Sequence, residues 1–207
     1  MSLPTIWVFG DQLNRDIGAL AEATPRTHRV LFIESTTKIA SRKWHVQRAH
    51  FIVASMRKFA AELVTEGFQV DYRHAGSMMQ GVAEHVREFV PPEIVATEPN
   101  SYAARSMVHE LGVRSVPSNQ FLCHPTEYQG FLGTRKSIKM EDFYRWQRKR
   151  LNVLMDDSEP TGGRWNFDEE NRQPPPKTGH DRWPEPELYE LDEVDEQVLD
   201  AVHSRCF

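Results

Sequence analysis

The sequence predicts an α/β fold: an open, doubly wound and mostly parallel sheet of five strands, followed by a helical and extended connector. Three observations carry this. Apolar runs without polar alternation occur at Leu3 to Phe9 and His28 to Ile33, the pattern of strands buried on both faces. Between such runs lie stretches whose apolar residues recur at three- and four-residue steps, the pattern of amphipathic helices. The order strand, helix, strand, helix then holds to about residue 120, and strands joined through helices pair in parallel by right-handed crossovers.

Taken in order, the first strand ends at Gly10-Asp11 and the second at Glu34. From about His45 to Glu66, the residues Val46, Ala49, Val53, Met56, Ala60 and Leu63 form the stripe of a long helix, and Gly67 is placed to stop it. Phe68 to His74 reads as the third strand. Ser77 caps a helix carrying Met79, Val82, Val86 and Phe89, and Pro91-Pro92 punctuates before a strand from Ile94 to Thr97. Asn100 or Ser101 caps a helix reaching Leu111, Gly112 ends it, and Val113 to Val116 makes the fifth strand.

After about residue 120 the rhythm changes. Met140, Phe143, Tyr144, Gln147, Leu151 and Leu154 mark a helix whose other face is basic, and Thr161 to Asn166 is rich in turn residues. Five of the 13 prolines fall between 174 and 186, Pro174-Pro175-Pro176 among them, which reads as an extended connector. A final acidic helix is expected from about Asp192 to His203. The reading therefore divides the chain into an α/β domain at 1–133 and a basic helix, Gly/Pro-rich connector and acidic helix at 134–207.

At 207 residues, 39% hydrophobic and 27% charged, the chain can bury one sizeable core. No apolar run approaches the roughly 18 residues of a membrane span, so embedding in a membrane is excluded as a reading. The N-terminus enters an apolar strand with no basic region or cleavage site before it, and a cytoplasmic location is expected. The two cysteines, Cys123 and Cys206, form no CxxC pair and cannot make a four-cysteine metal site. His45 and His50 are five apart on the long helix, and no HxxxH or HExxH occurs, so no metal is expected.

The net charge of -5 hides an asymmetry. Eight acids crowd residues 185 to 200, which hold no Lys or Arg; without the tail from 185 onward, 24 basic residues face 22 acidic ones. Within the body, residues 135 to 150 hold seven bases against two acids. That stripe is either a solvated helix face or a surface that meets phosphate, with Arg145, Arg148 and Arg150 the candidate nucleic-acid contacts. Of the five tryptophans, Trp7 on a strand reads as core, while Trp165 in a Gly-rich loop reads as an anchor against another surface; Trp44, Trp146 and Trp183 read as either.

In open sheets of this kind, ligands bind outside the carboxyl ends of the strands, where strand order reverses. The places to inspect are Gly10-Asp11-Gln12, Glu34-Ser35-Thr36 and Glu98-Pro99-Asn100. Neither GxGxxG nor GxxxxGK[ST] follows the first strand, which argues against dinucleotide and P-loop binding. A ligand here would be held by its ring and polar edges: Asp11 and Gln12 either hydrogen-bond a heterocycle or, for Asp11, simply cap the next segment. No Ser-His-Asp or Cys-His arrangement can be defended from spacing, and hydrolase chemistry is not indicated.

Several segments together resemble the deoxyribodipyrimidine photolyase-related family, the bacterial cryptochrome and photolyase branch that carries an iron-sulfur cluster. They are Gly10 to Leu13, Phe51 to Ala60, Thr97-Glu98-Pro99, Met140 to Arg145, and the long Gly162-Gly163-Arg164-Trp165-Asn166-Phe167-Asp168-Glu169-Glu170-Asn171-Arg172. The likeness runs over nearly the whole chain and is that of the family's N-terminal part.

The resemblance implies a Rossmann-like domain of the photolyase N-terminal type that holds an antenna pigment, 6,7-dimethyl-8-ribityllumazine or one like it. It implies FAD, the iron-sulfur cluster and the lesion site in a C-terminal helical domain of a full-length relative, which serves light-dependent DNA repair or blue-light signalling. This chain alone is then expected to bind pigment without running flavin electron transfer, and DNA is a partner of the full-length protein. Carried over residue by residue, Asp11 matches the family's acidic residue after the first strand and Ile52 the aliphatic position against the ring. With Gly10, Gln12, Glu34 and Glu98 they make the expected pigment site. Lys38 stands where the family places a carboxylate facing the pigment. Alternative readings are a stand-alone nucleotide- or nucleic-acid-binding α/β module and an interaction protein awaiting a partner domain.

Overall fold

The computed structural model describes residues 2–171, 174, 177, 178 and 184–203. Arg172, Pro175, Pro176, Trp183 and Cys206, named above, lie outside them. In chain order the elements are β1 (Thr5–Trp7), α1 (Gly18–Ala21), β2 (Arg29–Ser35), α2 (Thr36–Ala40), α3 (Val46–Thr65), β3 (Gln69–Ala75), α4 (Met78–Phe89), β4 (Ile94–Thr97), α5 (Tyr102–Glu110) and β5 (Arg114–Val116). There follow α6 (Pro125–Leu132), α7 (Met140–Leu151), a short hairpin of β6 (Met155–Asp156) and β7 (Glu159–Pro160), α8 (Asp168–Asn171) and α9 (Glu193–His203). Among the described residues, no helix is long and apolar enough to cross a membrane.

The chain parts into two compact units, Met1–Phe121 with Glu190–Phe207, and Leu122–Tyr189. Residues 122–133, grouped above with the α/β domain, thus cluster with the second unit, while α9, grouped above with the connector, belongs to the first.

The first unit is an α/β fold around five parallel strands in the order β3-β2-β1-β4-β5. Successive side chains of a strand point to opposite faces, and here both faces are covered. Ile6, Val8, Val30 and Phe32 pack with Leu20 of α1 and with Met56, Ala60 and Leu63 of α3. Trp7, Leu31 and Ile33 pack on the other face with Val82 of α4 and Val108 of α5. This is why the strands read as unbroken apolar runs: β2 from Val30 to Ile33 is no more than 1% exposed. Gly81 lets α4 lie against the sheet, since a Cβ there would come within 2.7 Å of Ile33 Cγ2.

The caps explain where the helices begin. Ser77 Oγ accepts from Gln80 N at the start of α4, and of the two candidates before α5 it is Ser101 whose hydroxyl accepts, from Ala104 N. Helix α3 has a second apolar face. Ala49, Val53 and Ala54 pack against Val198 and Val202 of α9, and Lys58 Nζ lies 2.9 Å from Asp192 and 2.8 Å from Asp195. Asp192 and Asp195 also exchange side-chain to backbone bonds at the start of α9, at 3.0 and 3.1 Å, so the helix is capped by the carboxylates that dock it.

A buried polar chain runs under α4. His85, fully buried, lies between Asp71 Oδ2 at 2.6 Å from Nδ1 and Thr5 Oγ1 at 2.8 Å from Nε2, and Arg73 Nε sits 2.5 Å from the same Asp71 oxygen. The residue types are those of a hydrolytic triad. Yet Thr5 is 0% exposed, so no substrate reaches its hydroxyl, and the chain ties β1, β3 and α4 together. Burial alone would raise the Asp71 carboxyl; the hydrogen bonds from His85 and Arg73, with their charges, outweigh it and hold the group below the usual carboxylate range.

Two outcomes follow from this packing. Leu63, at 0% exposure, should cost about 2–5 kcal/mol when cut to Ala, while Phe51→Ala, at 71% exposure, should change urea stability by less than about 0.5 kcal/mol. Because the folded Asp71 group titrates below its unfolded value, its contribution is present above about pH 4 and is lost as pH falls through the folded value. Asp71→Asn should therefore flatten the acid limb of a stability-pH curve and lower stability at neutral pH by about 1–3 kcal/mol, through the weakened His85 bond.

Candidate functional site at the carboxyl edge of the sheet

Strand order reverses around β1, which pairs with β2 on one side and β4 on the other. The residues leaving β1 span this junction. Gln12, 3% exposed, donates from Nε2 to the carbonyls of Thr97 at 3.3 Å and Glu98 at 3.1 Å, closing the gap between β1 and β4. Its Oε1 is buried and has no hydrogen-bond partner among the described residues. Asp11 is exposed; its carboxylate accepts from Asn100 Nδ2 at 3.0 Å and its backbone carbonyl from Gln120 Nε2 at 3.0 Å. Glu98 lies 3.5 Å from Arg105 Nη1.

Gly10 has α3 directly over it. A Cβ at Gly10 would approach Met56 Sδ to 2.9 Å and Ile52 Cγ2 to 3.1 Å, so the absence of a side chain is what allows the helix this close. Gly10 and half-buried Ile52 are thus brought together as wall and neighbour, and Gln12 is brought to Glu98. Lys38 lies on exposed α2, whose first turn Ser35 caps by accepting from Lys38 N at 3.2 Å.

Glu34 lies elsewhere along the same edge. It continues the α3-facing parity of Val30 and Phe32 at the end of β2, so a carboxylate ends a run of apolar side chains and is buried with them. Arg57 of α3 neutralises it through a two-pronged pair, Nη2 at 3.0 Å from Oε1 and Nε at 3.1 Å from Oε2. Tyr72 OH donates to Oε2 at 3.1 Å, and His74 Nδ1 lies 3.5 Å from Oε1. The sheet register sets this up, since Phe32 pairs with Tyr72 and Glu34 with His74. Burial opposes the charge on Arg57, but Glu34 more than offsets it and raises the guanidinium above its ordinary value; burial and the same carboxylate push the Tyr72 hydroxyl far up. Beside the cluster is a cavity of about 280 Å³ lined by Glu34, Thr36, Ile39, Arg57, His74 and Ala201.

Sequence reasoning named Glu34 and missed Arg57, Tyr72 and His74. A signal was present. β3 reads Val70-Asp71-Tyr72-Arg73-His74, polar on both parities, which a strand buried for packing alone does not need. Among the described residues, no group of three His, Cys, Asp or Glu converges as metal ligands.

In the second unit, α6 starts on a capping box, His124 accepting from Thr126 N while Glu127 Oε2 accepts from His124 N at 2.7 Å. Phe131 packs edge-on against Phe143, ring centroids 5.3 Å apart, and against Trp146 at 5.1 Å. The three candidate nucleic-acid arginines of α7 differ in surroundings. Arg148 is 7% exposed and donates to the carbonyls of Val153 and Leu154 and, at 3.2 Å, to Tyr144 OH. Arg150 pairs with Glu127 and donates to the Leu122 carbonyl and to Gln147 Oε1. Arg145 is exposed, its guanidinium 5.8 Å from the Trp165 ring, which Arg148 and Lys149 also approach, at 5.2 and 5.4 Å.

A sheet of this order, with acidic and amide side chains ranged along its carboxyl edge, is shared by many proteins of unrelated function, so the comparison with known proteins decides the family. The chain is 32% identical over 212 aligned residues to a (6-4) photolyase of Agrobacterium fabrum, an alignment covering 95% of this chain and 41% of that protein. It is 42% identical over 41 residues to an uncharacterized protein of Acanthamoeba polyphaga mimivirus, 20% of this chain and 21% of that one. It therefore spans about two fifths of the length of the photolyase it matches. A family model described as deoxyribodipyrimidine photo-lyase-related protein matches residues 6–207, from the second residue of β1 through α9, and the chain belongs to that family.

Proposed function

We propose that this chain is the light-gathering α/β part of a photolyase-related protein, holding a ribityllumazine-type pigment at the carboxyl edge of its sheet. One observation carries the reading: in a chain of this family, Ile52 lies over Gly10, which Asp11 and Gln12 follow, at the end of β1, where open α/β sheets bind ligands. The residues present fit a flat heterocycle with polar edges. Ile52 and Met56 offer an apolar wall over Gly10, exposed Asp11 offers a carboxylate, and Gln12 Oε1 is a buried acceptor without a donor among the described residues. When bound, such a pigment absorbs near-ultraviolet and blue light and passes the excitation on.

What the chain's own residues contribute is orientation. Gln12 is clamped by two donated bonds, and Asp11 is tied to the loop after β4 through Asn100 and Gln120. A site held in this way fixes a ring's angle, on which dipole-coupled transfer depends, and it needs no catalytic group. Lys38 puts a cation where the family's carboxylate faces the pigment, which supports a preference for a ring or side chain carrying negative charge. In the full-length protein we assign FAD, the iron-sulfur cluster and light-driven repair of DNA to the remaining part. Of the basic α7 stripe, Arg145 is the candidate that is exposed and, among the described residues, clear of an acidic partner, so a DNA contact there would rest on it more than on Arg148 or Arg150.

The purified chain should release a lumazine on heat denaturation, or show a near-ultraviolet shift when ribityllumazine is added. Ile52→Trp should abolish that shift without changing the circular dichroism spectrum. A colourless protein that ignores both lumazines and deazaflavins would overturn the assignment.

A further inference from the structure

The cavity beside Glu34 has a hydrogen-bonding polarity that identifies its ligand class. Both oxygens of Glu34 are already occupied: Oε1 by Arg57, with His74 beyond it at 3.5 Å, and Oε2 by Arg57 and Tyr72. The carboxylate therefore has little left to offer as an acceptor, and it does not invite a cation. The donors are in surplus. Arg57 spends Nε and Nη2 on Glu34, and a guanidinium carries five N–H groups in all. His74, 61% exposed, brings a ring N–H to the lining, and Thr36 is a further polar residue there. Ile39, Ala75, Gly76 and, from α9, Ala201 complete the lining.

At about 280 Å³ the space falls just below the ~300–1,000 Å³ typical of ligand pockets, so it suits a small molecule better than a pigment with its side chain. We propose that this cavity binds a small molecule bearing a carboxylate or phosphate group, received by Arg57 with Thr36 and His74, at a site additional to the pigment contacts over Gly10. Glu34 is the positioning residue, fixing the Arg57 guanidinium through the two-pronged pair. Because Ala201 forms part of the wall, the site exists only while α9 is docked on α3.

The test is a nuclear magnetic resonance titration of the chain, without pigment, with inorganic phosphate and separately with succinate, at constant ionic strength. Saturable shifts of the Arg57 side-chain N–H and His74 ring signals are expected with one or both anions, and which anion saturates first distinguishes the two sources. Ala201→Phe, which fills the cavity from the α9 side without touching the Glu34 pair, should weaken binding by about tenfold or more, as should Arg57→Gln. Should Arg57→Gln fail to fold, Ala201→Phe alone carries the test. Linear, non-saturating shifts, or saturable ones unchanged by Ala201→Phe, would overturn the proposal. A protein that binds ribityllumazine but neither anion would sink this site and leave the pigment reading standing; one that binds an anion and ignores lumazine would do the reverse.

Discussion

A strand in a parallel sheet has to be dry on both sides, and β2 bears most of that demand. Val30 and Phe32 point to one face, Leu31 and Ile33 to the other, and none is more than 1% exposed. Covering one face requires α3 and α1, and covering the other requires α4 and α5. Once α3 is laid along the sheet to bury Val30 and Phe32, Arg57 comes level with Glu34, and Ile52 comes over Gly10. The site is thus a by-product of core packing at the point where the apolar run of β2 ends in a carboxylate. Burying Glu34 and Arg57 without each other would leave an unpaired charge in a low-dielectric position, so the pair is held by mutual need more than by any net gain in stability.

Much of this was legible in the residues. The apolar runs located β1 to β5 within two residues at every end, and the stripe Val46, Ala49, Val53, Met56, Ala60, Leu63 located α3. The short helices α1 and α2 were not, since four or five residues are too few to display a 3.6-residue period. α6 was also missed, although His124-Pro125-Thr126-Glu127 is a start signal with Pro at the first helical turn. The site was half legible. Gly10, Asp11, Gln12 and Glu98 follow from strand ends alone, whereas Arg57, Tyr72 and His74 reach Glu34 through sheet register and helix packing, which one sequence does not display.

Arg148 shows a different limit. A run of Arg and Lys on a helix reads as a wet surface, yet this guanidinium is turned inward onto backbone carbonyls that the chain exposes after α7. The turn depends on Asn152 and Leu154 adopting positive φ, 52° and 53°. Carbonyls freed by such a reversal need a donor with reach, and Arg supplies several from one side chain. Charge composition reports none of this, because it counts the cation and cannot see the carbonyls.

The return of α9 to α3 gives the chain a timetable. At about 5–20 residues per second of synthesis, roughly 80 residues separate the end of β5 from the valines of α9, an interval on the order of 4–16 s. Through that interval the outer face of α3, where Ala49, Val53 and Ala54 sit with Trp44 and Val46, lacks the cover that α9 brings. Lys58, on the same helix, meets Asp192 and Asp195 of the late-arriving acidic segment and favours it as the occupant of that face.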